Sequence, residues 1–140
     1  MNRVFLDTGY LIALEASDDQ HHEEAIRHWR QSVPEISSIV TTTYVFDEVV
    51  TFFNSRGHHE KAVEIGDRLL RSPRVEVVQV SEDLFGAGWR RLQDRSDKRY
   101  SLTDCISFIV MERRGLDEAF AFDQHFEQAG YRTLPFQDWT

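Results

Sequence analysis

The chain has 140 residues, a formal net charge of −8 and a 41% share of hydrophobic residues, enough for one compact domain with a real core and too little for two. The acidic balance argues against a protein that holds nucleic acid by bulk electrostatics, while leaving room for a local basic strip. The longest nearly apolar stretch, Cys105 to Met111, falls far short of the roughly 20 residues that span a bilayer. No leader-like pattern precedes Asp7, and the lone Cys105 excludes an internal disulfide or a cysteine-based zinc cluster. A cytoplasmic protein with no membrane segment is expected.

Arg3 to Leu6 reads as a first strand, and Thr8 to Ala16 as a short helix with Tyr10, Leu11 and Leu14 toward the core. Asp18-Asp19 is expected to open a second helix, with Ala25, Ile26 and Trp29 at helical spacing and Pro34 beyond its end. Ile36 to Thr41 is β-branched and strand-like. Tyr44 to Asn54 is a helix stopped by Arg56-Gly57, and His59 to Leu70 another, ended by Ser72-Pro73. Val75 to Val80 alternates well enough for a third strand. Helices follow over Glu82 to Asp94 and Leu102 to Arg114, the latter with Gly115 as its stop. Ala119 to Phe122 reads as a fourth strand, Gln124 to Ala129 as a short helix, and Tyr131 to Leu134 as a fifth strand. Strands separated by helices imply an α/β fold: a central parallel sheet of four to five strands with helices on both faces, in one domain over residues 1–140.

In this layout Asp7 ends the first strand and Asp123 the fourth. Ligands of open parallel sheets bind in the crevice beyond the carboxyl ends of strands. Asp104, near the start of a helix, and Glu48, on a helix face shared with Tyr44, Val45, Thr51 and Phe52, add two further acids. Each has a plain structural explanation. Asp7 and Asp123 suit helix caps, and Ser101-Leu102-Thr103-Asp104 fits a capping box. For Glu48, Asp47 is an equal rival on periodicity. It is the conjunction that points to a metal. Two unit charges about 4 Å apart repel by roughly 4 kcal/mol at an effective dielectric near 20, and Mg²⁺ or Mn²⁺, which prefer oxygen ligands, remove that repulsion.

Arg90, Arg91, Arg95, Lys98 and Arg99 form a basic strip just before Asp104. Arg95, Lys98 and Arg99 are candidate contacts for a phosphate backbone, and equally the solvated end of a helix. Thr8 and Ser101 are candidate orienting hydroxyls. The pairs His21-His22 and His58-His59 stand at expected helix starts, and adjacent helical residues point about 100° apart, so they read as surface residues before ligands.

At these residues the chain resembles the PIN-domain ribonucleases, in particular the VapC-type toxins of toxin–antitoxin modules. Val4-Phe5-Leu6-Asp7-Thr8 is similar to the first family motif, and Thr42 to Val50 to the second, where the alignment favours Glu48 over Asp47. Ser101-Leu102-Thr103-Asp104-Cys105 resembles the third motif and Phe120 to Phe126 the fourth. The resemblance implies a single PIN-like domain with Asp7, Glu48, Asp104 and Asp123 as catalytic and metal-binding acids. It further implies Mg²⁺ or Mn²⁺ as cofactor, RNA as substrate, a homodimer and a cognate antitoxin. Asp97 near the third motif and Gly9 after Thr8 depart from the simplest pattern. Two other readings stand beside it: an RNA- or protein-binding module without cleavage, and a metal-dependent phosphatase. The haloacid-dehalogenase form of the latter requires an Asp where Gly9 stands.

Overall fold

A computed structural model describes residues 2–139. Five strands, β1 (Asn2–Leu6), β2 (Ile36–Thr42), β3 (Val75–Val78), β4 (Glu118–Phe120) and β5 (Arg132–Leu134), form one sheet in the order β3-β2-β1-β4-β5. Every pairing is parallel. The helices are α1 (Thr8–Glu15), α2 (His22–Ser32), α3 (Thr43–Ser55), α4 (His59–Arg71), α5 (Glu82–Asp94), α6 (Leu102–Arg114) and α7 (Gln124–Gln128). Strand order runs outward on one side of β1 from β1 to β3, then returns to the other side with β4. Right-handed crossovers therefore put α1 to α4 on one face and α5 to α7 on the other. Helix contacts follow the same division: α1 packs on α2 and α3, α3 on α4, and α5 on α6.

The β1 residues Val4, Phe5 and Leu6 are buried, as a central strand covered on both faces requires. Helix α6 is the other buried axis, with Thr103 to Met111 continuously buried and Cys105 in the core. Among the described residues no helix is long and apolar enough to cross a membrane.

Three boundaries differ from the expected ones by more than one residue. Helix α2 starts at His22, not at Asp18-Asp19, because the Asp19 side chain is engaged in a turn, where its Oδ1 accepts the His21 backbone N–H at 2.8 Å. Strand β3 stops at Val78, where its pairing with Thr42 ends, and Val80 instead donates its N–H to Thr43 Oγ1. Strand β4 stops at Phe120. Ala121 still donates to the Leu134 carbonyl, and Phe122 then leaves the sheet to stack on other rings.

Candidate active site

The strand order reverses between β1 and β4, and crevices of open parallel sheets form at such a switch point. Asp7 is the first residue beyond β1. Its backbone N–H donates to the Phe120 carbonyl at 3.1 Å, so the two strands are still joined where the acid leaves the sheet. Asp7 holds the N-cap position of α1, but its side chain makes no cap hydrogen bond, so the expected capping role is not realised. Asp7 is 5% exposed. Burial is the main cause that pushes its pKa up to about 8; the neighbouring Asp104 and Asp123 charges add to it, against the backbone N–H groups of Thr8 and Gly9.

Asp104 sits in the first turn of α6 and is also buried. Its backbone N–H donates to Ser101 Oγ at 2.9 Å, and the Ser101 N–H donates to Asp104 Oδ2 at 3.1 Å. The capping box is present, and the same carboxylate faces the other acids: cap and site are one arrangement. Burial raises its pKa, opposed by the Ser101 N–H and by His125, whose Nδ1 donates to Oδ2 at 2.9 Å. Asp123 caps α7, its Oδ1 accepting the His125 backbone N–H at 2.8 Å. The His125 ring nitrogen lies 3.3 Å from that oxygen. Ligand atoms of Asp104, Asp123 and His125 all fall within 4.8 Å of one another. His125 is the functional candidate that sequence reasoning passed over. Two residues beyond Asp123 at the mouth of a five-residue helix, it has no periodicity to mark it.

Glu48 is exposed, so the desolvation cost expected from its helix face is absent. Its position comes instead from Thr8, whose Oγ1 donates to Glu48 Oε1 at 2.6 Å and links α3 to the residue after Asp7. Asp47, the rival, accepts from Thr51 on its own helix at 3.3 Å. Of the basic strip, Arg91 is paired with Glu112, and Arg95 with Asp97 at 3.2 Å. Lys98 and Arg99 make no ion pair among the described residues, and they lie in the loop that leads into Ser101. His22 donates to the Ala13 carbonyl and His59 to Asn54 Oδ1. Neither histidine pair joins a metal-ligating group among the described residues.

The donors within 4.8 Å of one another are two carboxylates and an imidazole; the buried Asp7 carboxyl lies outside that group but near enough for the charges of Asp104 and Asp123 to add to the rise of its pKa to about 8. That chemistry fits a hard divalent cation, whose charge replaces the Asp7 proton and relieves the repulsion. The profile of the PIN domain matches residues 4–130, a span holding all of these side chains.

The chain belongs to the PIN-domain family.

Over 128 residues this PIN domain is 34% identical to the 23S rRNA-specific endonuclease VapC20 of Mycobacterium tuberculosis, in strains CDC 1551 and H37Rv, with 91% of this chain and 95% of the relative covered. The crystal structure of Mycobacterium tuberculosis VapC20, described as a Sarcin-Ricin loop cleaving toxin, superposes on the PIN domain with a TM-score of 0.82 and 32% identity, covering 91% of this chain and 95% of that one. A toxin-antitoxin complex from Klebsiella pneumoniae shares the fold at a TM-score of 0.64 and 14% identity, over 96% and 99% of the two chains. VapBC2 from Rickettsia felis, bound to a DNA fragment from its promoter, shares it at 0.63 and 13%, over 92% and 94%.

Proposed function

We propose that this PIN domain is a divalent-metal-dependent endoribonuclease and the toxin of a VapBC-type pair, acting in the cytoplasm on a structured loop of 23S rRNA. Its similarity to VapC20 supports the substrate. The observation that carries the reading is the Asp104–Asp123–His125 group beyond β1 and β4, with the Asp7 carboxyl near enough to be raised to about 8 by burial and by the charges of Asp104 and Asp123. Asp7, Asp104 and Asp123 would hold Mg²⁺ or Mn²⁺, with Glu48 assisting directly or through water, and His125 orients the pair of aspartates it touches. A divalent ion bound there lowers the pKa of its water and neutralises charge that builds on the phosphate. Thr8 fixes Glu48 relative to Asp7, and the Ser101 N–H fixes Asp104. Lys98 and Arg99 supply positive charge to the RNA backbone where the rest of the molecule repels it, and Arg95 joins them when RNA displaces Asp97. The protein works as a homodimer and is silenced by a small cognate antitoxin; light scattering and co-expression with the neighbouring reading frame test those two points.

The direct test is incubation of the purified protein with 23S rRNA and with a sarcin–ricin-loop hairpin, in Mn²⁺ or Mg²⁺, beside an EDTA control and Asp7→Asn. Cleavage at one mapped position that needs both metal and Asp7 is the expected result. Cleavage untouched by Asp7→Asn overturns the site. Metal-independent RNA binding without cleavage returns the chain to the class of binding modules.

A further inference from the structure

His21 has no part in the chemistry above, yet its ring is one of the best-fixed groups at the rim of the site. It stacks on Phe122 with centroids 4.4 Å apart and planes 3° from parallel, and Phe122 stacks in turn on Tyr10 at 5.5 Å and 11°. The column starts in the core, at the fully buried Tyr10, and ends at the His21 imidazole, where about a third of the side chain is accessible. His21 is held from outside the stack as well. Its N–H donates to Asp19 Oδ1 at 2.8 Å, its carbonyl accepts from Ala25 at 2.9 Å, and Nδ1 lies 3.8 Å from Glu24. Its neighbour His22 is turned away onto the Ala13 carbonyl.

The last two rings of the column, Phe122 and His21, line an open pocket of about 400 Å³ together with Asp19, Gln20, Asp123, Gln124 and Trp139. Asp123 is therefore both a wall of this pocket and a member of the acid cluster, and the stacked Phe122 is its covalent neighbour. A phosphodiester drawn to the cluster carries a base within one nucleotide of this pocket. An aromatic face, a second aromatic residue and two side-chain amides that both donate and accept are what a splayed-out base requires: stacking on a ring and hydrogen bonding along its edge. A merely structural lid on Phe122 needs neither the pocket nor the amides.

We propose that this pocket is a nucleobase subsite, in which a base next to the scissile phosphate stacks on His21 as the fourth ring of the Tyr10–Phe122–His21 column, with Gln20 and Gln124 along its edge. The subsite rests on the nuclease reading and adds to it the place where an unpaired nucleotide is gripped.

The test uses the full chain carrying Asp7→Asn, so that RNA is not consumed, and sarcin–ricin-loop hairpins with 2-aminopurine at successive loop positions. Stacking quenches the fluorescence of that base. The expected result is quenching at one position on binding, its loss in His21→Ala with about tenfold weaker binding, and its retention in His21→Phe, which keeps an aromatic face. His21→Gln, close in size and polarity but without a ring, serves if the alanine variant does not fold, and it too should lose the quenching. Quenching at no position, quenching indifferent to His21, or no RNA binding at all overturns the subsite. Metal- and Asp7-dependent cleavage by the unmutated protein is scored separately, so the nuclease reading stands or falls on its own.

Discussion

In the folded chain the Asp7 carboxyl titrates near 8, against 3.8 for an ordinary aspartate. Between those values the folded state holds a proton that the unfolded state has released, so metal-free stability is greatest at the acid end and falls as pH rises toward 8. Asp104, also raised by burial, contributes with the same sign. In EDTA the Tm should drop from pH 5 to pH 8, and Asp7→Asn should flatten that slope and stabilise the protein at pH 8 by an amount on the order of a few kcal/mol. Calorimetry across that range checks it; an unchanged slope in the variant would place the titration elsewhere. Mn²⁺ affinity should move the opposite way and rise with pH, because the ion must displace the proton. Residue type and chain position made Asp7, Asp104 and Asp123 legible in the sequence, since strand ends and a capping box are local patterns. What separates Glu48 from Asp47 is a bond to Thr8 on another helix, which no local period encodes. His125 and His21 were illegible for the same reason: their partners, Asp104 and Phe122, come from other elements.

Elements were easier to read than their ends. Buried β1 and α6 follow from hydrophobic runs, whereas the end of β4 depends on where Phe122 finds its ring partners, and the start of α2 on the Asp19 turn. Helix α5 shows how packing reverses a propensity. A Cβ added at Gly88 would lie 2.4 Å from Ile106 Cγ1 and 3.3 Å from the Ile106 backbone, because α5 and α6 press together there. At Gly86 the nearest group is the Arg90 guanidinium, at 3.5 Å. Alanine normally favours a helix over glycine by about 1 kcal/mol. Gly86→Ala should therefore stabilise the protein by up to about that amount, and Gly88→Ala should destabilise it by about 1–3 kcal/mol through overpacking. Urea unfolding of the two variants reads the signs directly; a stabilising Gly88→Ala would mean that α5 and α6 are less tightly joined than described.

At the scale of the whole molecule, a net charge of −8 faces a polyanionic substrate. Affinity for RNA then has to come from few phosphate contacts plus base contacts, and the salt dependence reports how few. With Lys98, Arg99 and Arg95 as the contacts, log K against log salt should fall with a slope of about −2.1, at roughly −0.7 per contact on single-stranded RNA. Filter binding from low to moderate salt measures it, and Lys98→Ala should make the slope shallower by about a third. A slope several times steeper would mean a basic surface other than this loop carries the RNA. The class of fold was legible because alternating strands and helices allow few arrangements; the order β3-β2-β1-β4-β5 was not, since it depends on which edge of β1 the late strand chooses. That choice has a consequence for synthesis. Asp7 directly follows β1, the strand of this sheet made first, and Asp123 follows β4, the fourth made, which settles against the open edge of β1. A nascent chain can complete its first three strands and α1 to α4 while the acid cluster still lacks Asp104, Asp123 and His125. If the proposed nuclease acts on ribosomal RNA, the order of translation withholds its acid cluster until α6, β4 and the start of α7 have been made.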